Sequence, residues 1–133
     1  MKLSRAHIPA IIWTILIGSS CLVPAATFRS FSFDSLIQVD KLIHLILYLL
    51  FVLFWALAIP SSKKNTLILL ITGVSYGILI EILQGSMHLG RSYELDDIIA
   101  NTIGAILGVI SIRFVKRKIP FLKKYLPFVS KLY

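Results

Sequence analysis

Long apolar runs alternate with short polar segments along this chain of 133 residues. Four of the runs are 18 or 19 residues long and carry few charges: Ile8–Ala26, Leu42–Ile59, Thr66–Leu83 and Ile98–Val115. A helix needs about 20 mostly apolar residues to cross a bilayer, so each run has the length of a membrane span. Pro60 and the polar residues after it predict a tight turn between the second and third runs. The pattern predicts an all-α, polytopic membrane protein, a bundle of four transmembrane helices.

The composition excludes the other broad classes of protein. Hydrophobic residues make up 57% of the chain and charged residues 15%, with a mean hydropathy of +0.87. Soluble domains average about 45–50% apolar and about 25% charged residues. A chain this short has too little interior to bury the excess, and intrinsic disorder needs a more polar composition. The single cysteine, Cys21, excludes an intramolecular disulfide and a CxxC metal site.

The formal net charge of +8 is distributed unevenly along the chain. Eleven Lys and Arg residues lie before the first run, between the second and third, or after the fourth, whereas Arg29, Lys41 and Arg91 lie on the other side. All six acidic residues lie on or toward that second side. Because cytoplasmic loops carry the excess of basic residues, we expect both termini to be cytoplasmic. The bases flank apolar runs and follow no DNA-binding pattern, so no nucleic-acid partner is expected.

The two ends of the chain each leave an alternative open. The first run also fits a cleaved signal peptide, because it has a basic start and small residues near Pro24. We divide the chain into a membrane domain, residues 1–115, and a basic and aromatic cytoplasmic tail, residues 116–133. The tail either lies on anionic lipids at the cytoplasmic face or is an ordinary stop-transfer charge cluster. Pro120 and Pro127 argue against one long helix there.

Polar and small residues form one stripe on each of the last three spans, at about 100° per residue. The stripes consist of Asp40, Lys41, His44 and Tyr48 on the second span, Gly73, Gly77, Glu81 and Gln84 on the third, and Asp97, Asn101, Gly104 and Gly108 on the fourth. Ionisable groups within a span cost about 2.5–3.5 kcal/mol each, so they usually pair or line a cavity. We expect the stripes to face one another, with the polar side chains gathered near the outer surface of the membrane.

Each of these residues also has a plainer explanation. Asp40, Lys41 and Asp97 could mark helix ends, where charges cost little, and Asp97 would also suit the helix macrodipole. Asn101 and Gln84 could hydrogen-bond neighbouring helices. The four glycines are expected to be packing surfaces rather than ligand contacts. Glu81 is hardest to explain in this way, because no cation lies near it in the sequence.

The three stripes together resemble the pattern of the VanZ-like membrane proteins. The motifs are Asp40-Lys41-x-x-His44-x-x-x-Tyr48, Gly77-x-x-x-Glu81-x-x-Gln84, and Arg91 followed by Asp97-x-x-x-Asn101-x-x-Gly104-x-x-x-Gly108. The resemblance implies a small four-helix protein of the bacterial plasma membrane. It also implies a link to the cell envelope, since the family's named member is associated with resistance to the glycopeptide teicoplanin. The matching positions that it implies as functional are Asp40, Lys41, His44, Tyr48, Glu81, Gln84, Arg91, Asp97 and Asn101.

The leading hypothesis is an enzyme that acts on a lipid or cell-wall precursor at the outer leaflet. His44 with Glu81 or Asp97 would supply acid–base chemistry. Substrate binding is assigned to six residues: Asp40, Lys41, Tyr48, Gln84, Arg91 and Asn101. The mixed donors His44, Glu81 and Asp97 have no metal-ligand spacing, so no metal is predicted, and the sequence identifies no cofactor. A non-catalytic binder of a lipid headgroup or glycopeptide is the alternative, and a small transporter is the third. The oligomeric state is left open.

Overall fold

The structure, a computed structural model, describes residues 5–22, 36–87 and 93–125. In these residues the chain forms four α-helices and no strand: α1 His7–Cys21, α2 Leu36–Ala58, α3 Lys63–Ser86 and α4 Leu95–Tyr125. Three spans are long and apolar enough to cross a membrane: Asp40–Ala58, Lys63–Ser86 and Leu95–Phe121. The prediction of an all-α membrane protein is confirmed. The remaining helix, α1, is also apolar but is shorter than these three spans.

The first helix is shorter than the predicted span Ile8–Ala26. It has 15 residues and ends at Cys21, with Leu22 as its C-cap at φ −93° and ψ 5°. Its length of about 22 Å is less than the roughly 30 Å core of a bilayer. Pro24 follows closely, and the residue before a proline disfavours the helical conformation, so the helix stops ahead of it. The rest of the predicted span, residues 23–26, lies outside the described residues.

The fourth helix, in contrast, is longer than the predicted span Ile98–Val115. It has 31 residues and runs through Pro120 to Tyr125, so the expectation that prolines interrupt the tail is wrong at this position. Pro120 lacks an N–H and removes one backbone hydrogen bond from the helix. The earlier turns of α4 pack against α2 and α3 and fix the helix before it reaches the proline. Pro127 lies outside the described residues.

The predicted turn between the second and third spans is confirmed. Ser62 adopts an extended conformation, φ −150° and ψ 156°, and its side chain accepts a hydrogen bond from the Asn65 N–H at 3.0 Å. The Asn65 side chain donates back to the Pro60 carbonyl at 2.8 Å. The turn thus satisfies backbone groups that a helix N-terminus leaves without partners.

The helices run alternately up and down, and α2 is the central one. It packs against the other three, most extensively against α4, while α1 and α4 make no contact within the described residues. The core contains Ile17, Tyr48, Phe51, Val52, Ile80 and Ala105. Large aliphatic side chains point outward instead, for example Ile15 at 65% and Ile110 at 69% exposure. An apolar exterior of this kind is typical of a surface that faces lipid.

Glycines allow the closest approach between α2 and α4. A Cβ atom at Gly104 would overlap the carbonyl oxygen of Leu45, and one at Gly108 would lie 2.9 Å from the Leu49 carbonyl oxygen. The hypothetical Cβ atoms of Gly73 and Gly77 meet side chains at 3.6 Å and 3.1 Å. All four glycines are buried between helices, as the packing interpretation expects.

Because the helices alternate in direction, acidic residues lie at one end of the bundle and most basic residues lie at the other. We call one the acidic end, defined by Asp40, Glu81, Glu94, Asp96 and Asp97, and the other the basic end, defined by Lys63, Lys64, Arg113, Lys116, Arg117 and Lys118. Lys116 Nζ donates to Ser61 Oγ at 2.6 Å, which fixes the second half of α4 beside the α2–α3 turn. The start of α1 lies at the same end, because His7 contacts the Trp55 ring. The first and last helices therefore begin and end on one side.

Candidate functional site

The three predicted stripes meet at the acidic end of the bundle. His44, Tyr48, Glu81, Gln84, Asp97 and Asn101 are all buried there, each with 5% or less of its surface exposed. Helical periodicity explains the convergence, since residues three or four positions apart share a face. We call these six residues, together with Asp40 and Lys41, the polar cluster. Arg91, the remaining predicted site residue, lies outside the described residues.

Lys41 connects α2 to the beginning of α4 through several carboxylates. Its ammonium group lies 3.2 Å from Asp97 Oδ1, 3.2 Å from Glu94 Oε2 and 3.8 Å from Asp96 Oδ2. The Asp97 side chain is 6% exposed, whereas those of Glu94 and Asp96 are 48% and 70% exposed. Asp97 has lost most of its contact with water, so its pair with Lys41 compensates for that loss. The two exposed carboxylates remain hydrated, and their pairs with Lys41 contribute less to stability.

Two of these carboxylates were not predicted as site residues. Glu94 and Asp96 belong to an acidic run that precedes the fourth span and lie outside the predicted stripes. The sequence contains a pattern that predicts their contact with Lys41. Three acids lie within four positions, and Lys41 is the nearest base on a facing span. Asp40 and Lys41 lie in the second turn of α2, which begins at Leu36, and they are the first two residues of the candidate membrane span.

His44 is oriented by two groups on α4. Its Nδ1 lies 3.1 Å from the side-chain oxygen of Asn101, and its Nε2 lies 3.8 Å from Asp97 Oδ2. Because an amide oxygen only accepts hydrogen bonds, Nδ1 carries the proton in this arrangement. Nε2 is then the ring nitrogen that can exchange a proton beside a buried carboxylate. Asp97 lies in the first turn of α4, where the helix macrodipole favours its negative charge.

Glu81 is the most deeply buried acid of the cluster. It is 0% exposed, and its Oε2 accepts a hydrogen bond from the backbone N–H of Glu94 at 3.2 Å. Its other oxygen, Oε1, has no hydrogen-bond partner among the described residues. A carboxyl group with one fixed and one open oxygen is suited to proton exchange with a group that enters from outside.

Two further buried polar atoms lack partners close to Glu81. Within the parts of the chain that are described, Tyr48 Oη and Asn101 Nδ2 make no hydrogen bond. Both side chains border Gly77, whose hypothetical Cβ would lie 3.2 Å from Asn101 Nδ2 and 3.4 Å from the Tyr48 ring. Glu81 follows Gly77 by one helical turn on the same face of α3. Since buried polar atoms nearly always have partners, three open atoms in one region need an explanation.

Gln84 has a different role from its neighbours in the stripe. Its side-chain nitrogen donates to the Cys21 carbonyl at 2.6 Å, so it binds the last turn of α1. The interpretation as an interhelical hydrogen bond therefore describes Gln84 well, while Asn101 combines such a bond to His44 with an open nitrogen.

The residues that could hold a cation differ from the set His44, Glu81 and Asp97 that was considered from the sequence. Ligand atoms of Asp40, His44 and Asp97 lie within 4.8 Å of one another, so Asp40 rather than Glu81 completes the set. Asp97, a member of this set, already binds the Lys41 ammonium group through its Oδ1. Lys41 thus supplies positive charge where a metal ion would otherwise do so.

The fold and the cluster define a small, multi-pass helical membrane protein with buried acid–base groups at one end. Comparison with protein families agrees with this class: a model described as VanZ/LLP1 matches residues 6–116. The match covers most of the chain, which belongs to the VanZ-like family. No curated protein matches the sequence, and no solved structure matches it.

Proposed function

We propose that this protein is an enzyme of the bacterial plasma membrane that acts on a lipid or a cell-wall precursor in the outer leaflet. The observation that carries the proposal is the group of three open polar atoms, Tyr48 Oη, Glu81 Oε1 and Asn101 Nδ2, near the His44–Asp97 pair. These atoms have no partner among the described residues, and a polar substrate group that reached them would supply the missing hydrogen bonds. A purely structural cluster would gain nothing from leaving them open.

The arrangement assigns separate roles to the two proton-exchanging groups. Asn101 holds the Nδ1 side of His44, which leaves Nε2 to accept or release a proton. The backbone of Glu94 holds one oxygen of Glu81, which leaves Oε1 to do the same. Asp97 lies beside Nε2 and would stabilise a positive charge that develops on the ring. Together these groups support transfer of protons to and from a bound substrate.

The charge of the acidic end favours one kind of substrate group over another. Among the described residues, five carboxyl groups lie there and Lys41 supplies the one ammonium, which already binds Asp97, Glu94 and Asp96. A phosphate brought into the cluster would be repelled, whereas a hydroxyl or an amine would be accepted. The reacting group is therefore a hydroxyl or amine, and Lys41 positions carboxylates rather than binding a substrate anion.

The side of the membrane follows from the distribution of bases. The basic end carries most of the described Lys and Arg residues, and an excess of these residues marks the cytoplasmic side. In the orientation that we propose, both termini are cytoplasmic and the acidic end lies at the outer leaflet, where cell-wall precursors are used.

The test compares a deletion strain with strains that carry single variants. Envelope lipids and muropeptides are profiled by mass spectrometry after complementation with wild type, Glu81→Gln or Asp96→Asn. Both substitutions change a carboxylate to an amide, but Asp96 is 70% exposed and lies 3.8 Å from Lys41, outside the open atoms. We expect wild type and Asp96→Asn to restore the profile and Glu81→Gln to fail at equal expression. A deletion that leaves both profiles unchanged would overturn the proposal.

A second candidate is a binder of a lipid headgroup or glycopeptide that performs no reaction. The observation in its favour is that the hydrogen bonds described for the cluster join carboxylate, imidazole, amide and ammonium groups, which are suited to holding a polar headgroup without reacting with it. Binding without turnover by purified protein, together with altered teicoplanin susceptibility in the deletion strain, would favour this candidate. Conversion of an added precursor by wild type but not Glu81→Gln would favour the enzyme.

A further inference from the structure

A large cavity lies at the basic end of the bundle, far from the polar cluster. It has a volume of about 940 Å³ and lies between the α2–α3 turn and the second half of α4. Four of the described residues that line it are basic: Lys63, Arg113, Lys116 and Arg117. None of the described lining residues is acidic. Within the described residues none of the four bases pairs with a carboxylate, since the ion pairs found there all lie at the acidic end.

The bases converge because of their positions in the two elements. Arg113, Lys116 and Arg117 are three and four residues apart on α4, so they lie on one face of that helix. Lys63 begins α3 on the opposite wall, beside the capping residue Ser62. The hydrogen bond from Lys116 to Ser61 joins the two walls and fixes one of the bases. The positive end of the α3 macrodipole adds to the same charge.

Polar residues of the α2–α3 turn border the bases, and the remaining part of the wall is apolar and opens toward the lipid-facing surface. Ala56, Ile59, Leu69 and Val109 line its inner part. Leu67 and Ile110, also in the lining, are 58% and 69% exposed on the outside of the bundle. An occupant therefore meets bases at the membrane surface and aliphatic side chains at hydrocarbon depth. A free inorganic anion would use only the first of these two surfaces.

We propose that this cavity binds the headgroup and upper acyl chains of one anionic phospholipid. The phosphate is held by the guanidinium groups of Arg113 and Arg117 and by the Lys63 ammonium, which suit phosphate geometry and charge. The acyl chains lie against Leu67 and Ile110. On the orientation expected from the basic residues, the lipid comes from the cytoplasmic leaflet. The site is independent of the polar cluster and of the reaction proposed for it.

Native mass spectrometry of the full-length protein in detergent tests the site. The protein is mixed with phosphatidylglycerol or phosphatidylcholine, and the retained lipid is counted as detergent strips loosely bound molecules. The variant Arg113→Gln/Arg117→Gln removes two charges from the cavity. Its matched control, Lys64→Gln/Lys118→Gln, removes two charges from the same end at exposed positions that do not line the cavity. All four positions are exposed, so the thermal unfolding midpoint should be unchanged and serves as the folding check.

We expect wild type and the control to retain one phosphatidylglycerol. The cavity variant should bind it at least about tenfold more weakly. Phosphatidylcholine should not be retained, and millimolar inorganic phosphate should not displace the lipid. Equal weakening in the two double variants would overturn the proposal, because it would reveal only a general attraction to anionic lipid. Displacement by inorganic phosphate would overturn it as well, by assigning the cavity to a free anion.

Discussion

Gly104 on α4 lies directly against the backbone carbonyl of Leu45 on α2, and a Cβ atom at position 104 would overlap that oxygen. A backbone neighbour cannot move aside as a side chain can. We therefore expect Gly104→Ala to destabilise the protein by about 1–3 kcal/mol through overpacking. Gly73→Ala is the matched control, because its new Cβ would meet only side chains at 3.6 Å, an ordinary contact distance. SDS titration in mixed micelles measures both, and equal stability of the two variants would contradict the close contact.

The ion pair between Lys41 and Asp97 should dominate the charge cluster at the acidic end. Asp97 is 6% exposed, so Lys41→Met leaves it buried without its cation, while Glu94 and Asp96 remain in contact with water. A double-mutant cycle of Lys41→Met with Asp97→Asn should give a coupling free energy of about 1 kcal/mol or more. The same cycle with Asp96→Asn should give less than about 0.5 kcal/mol. Similar coupling for the two acids would show that burial does not set the strength of these pairs.

Lys41 should also decide whether the cluster responds to metal ions. In wild type its ammonium binds Asp97 Oδ1, so we expect neither Zn²⁺ nor EDTA to change the unfolding midpoint. Lys41→Met removes the ammonium beside Asp97 and leaves the ligand atoms of Asp40, His44 and Asp97 within 4.8 Å of one another. Zn²⁺ should then raise the midpoint of this variant, and adding His44→Gln should remove the effect. Stabilisation of wild type by Zn²⁺ would identify a metal site where we expect none.

The hydrogen bond from Gln84 to the Cys21 carbonyl should hold the end of α1 against α3. Cys21 is 3% exposed and is the single cysteine of the chain, so its alkylation rate reports on this contact. We expect Gln84→Ala to speed maleimide labelling of Cys21 about tenfold, because losing a buried hydrogen bond costs about 1–3 kcal/mol. Thr102→Ala removes a hydroxyl that bonds only within its own helix and should leave the rate unchanged. Equal rates in wild type and Gln84→Ala would show that other contacts hold α1.

The orientation of the bundle can be measured with single cysteines in a Cys21→Ala background. Ser61→Cys marks the basic end and Tyr93→Cys the acidic end, and both positions are exposed. An impermeant maleimide added to intact cells, or to spheroplasts if there is an outer membrane, should label position 93 at once. Position 61 should react only after the membrane is permeabilised, because basic residues mark the cytoplasmic side. The reverse result would place the polar cluster at the cytoplasmic leaflet.

Helical periodicity was sufficient to predict much of the candidate site. The spacing of His44, Glu81 and Asn101 predicts that each lies on the inner face of its helix. In the structure all three side chains are buried where these faces meet. Partners that lie in the backbone have no such signal, which is why the bonds from Glu94 N–H to Glu81 and from Gln84 to the Cys21 carbonyl were not foreseen.

Helix ends were harder to predict than helix faces. Pro120 was expected to interrupt the tail, but tertiary packing earlier in α4 outweighs one missing backbone hydrogen bond. The contacts of Glu94 and Asp96 with Lys41 depend on how far α2 and α4 are shifted along each other. That shift is set by the fit of Gly104 and Gly108 against α2, a property of packed surfaces rather than of either segment alone.

The central position of α2 has a consequence for the order in which the molecule is made. His44 enters the membrane before the helix that carries Asn101 and Asp97 has been synthesised, and Glu81 likewise precedes the backbone N–H of Glu94 that binds it. During insertion the two early helices therefore carry polar groups whose partners do not yet exist. Arrival of α4 brings these partners and also the largest helix interface. The candidate site is thus completed last. A nascent chain that stops before Leu95 would have the hydrophobic contacts between α1, α2 and α3 but would lack the Asn101 and Asp97 side chains that contact His44.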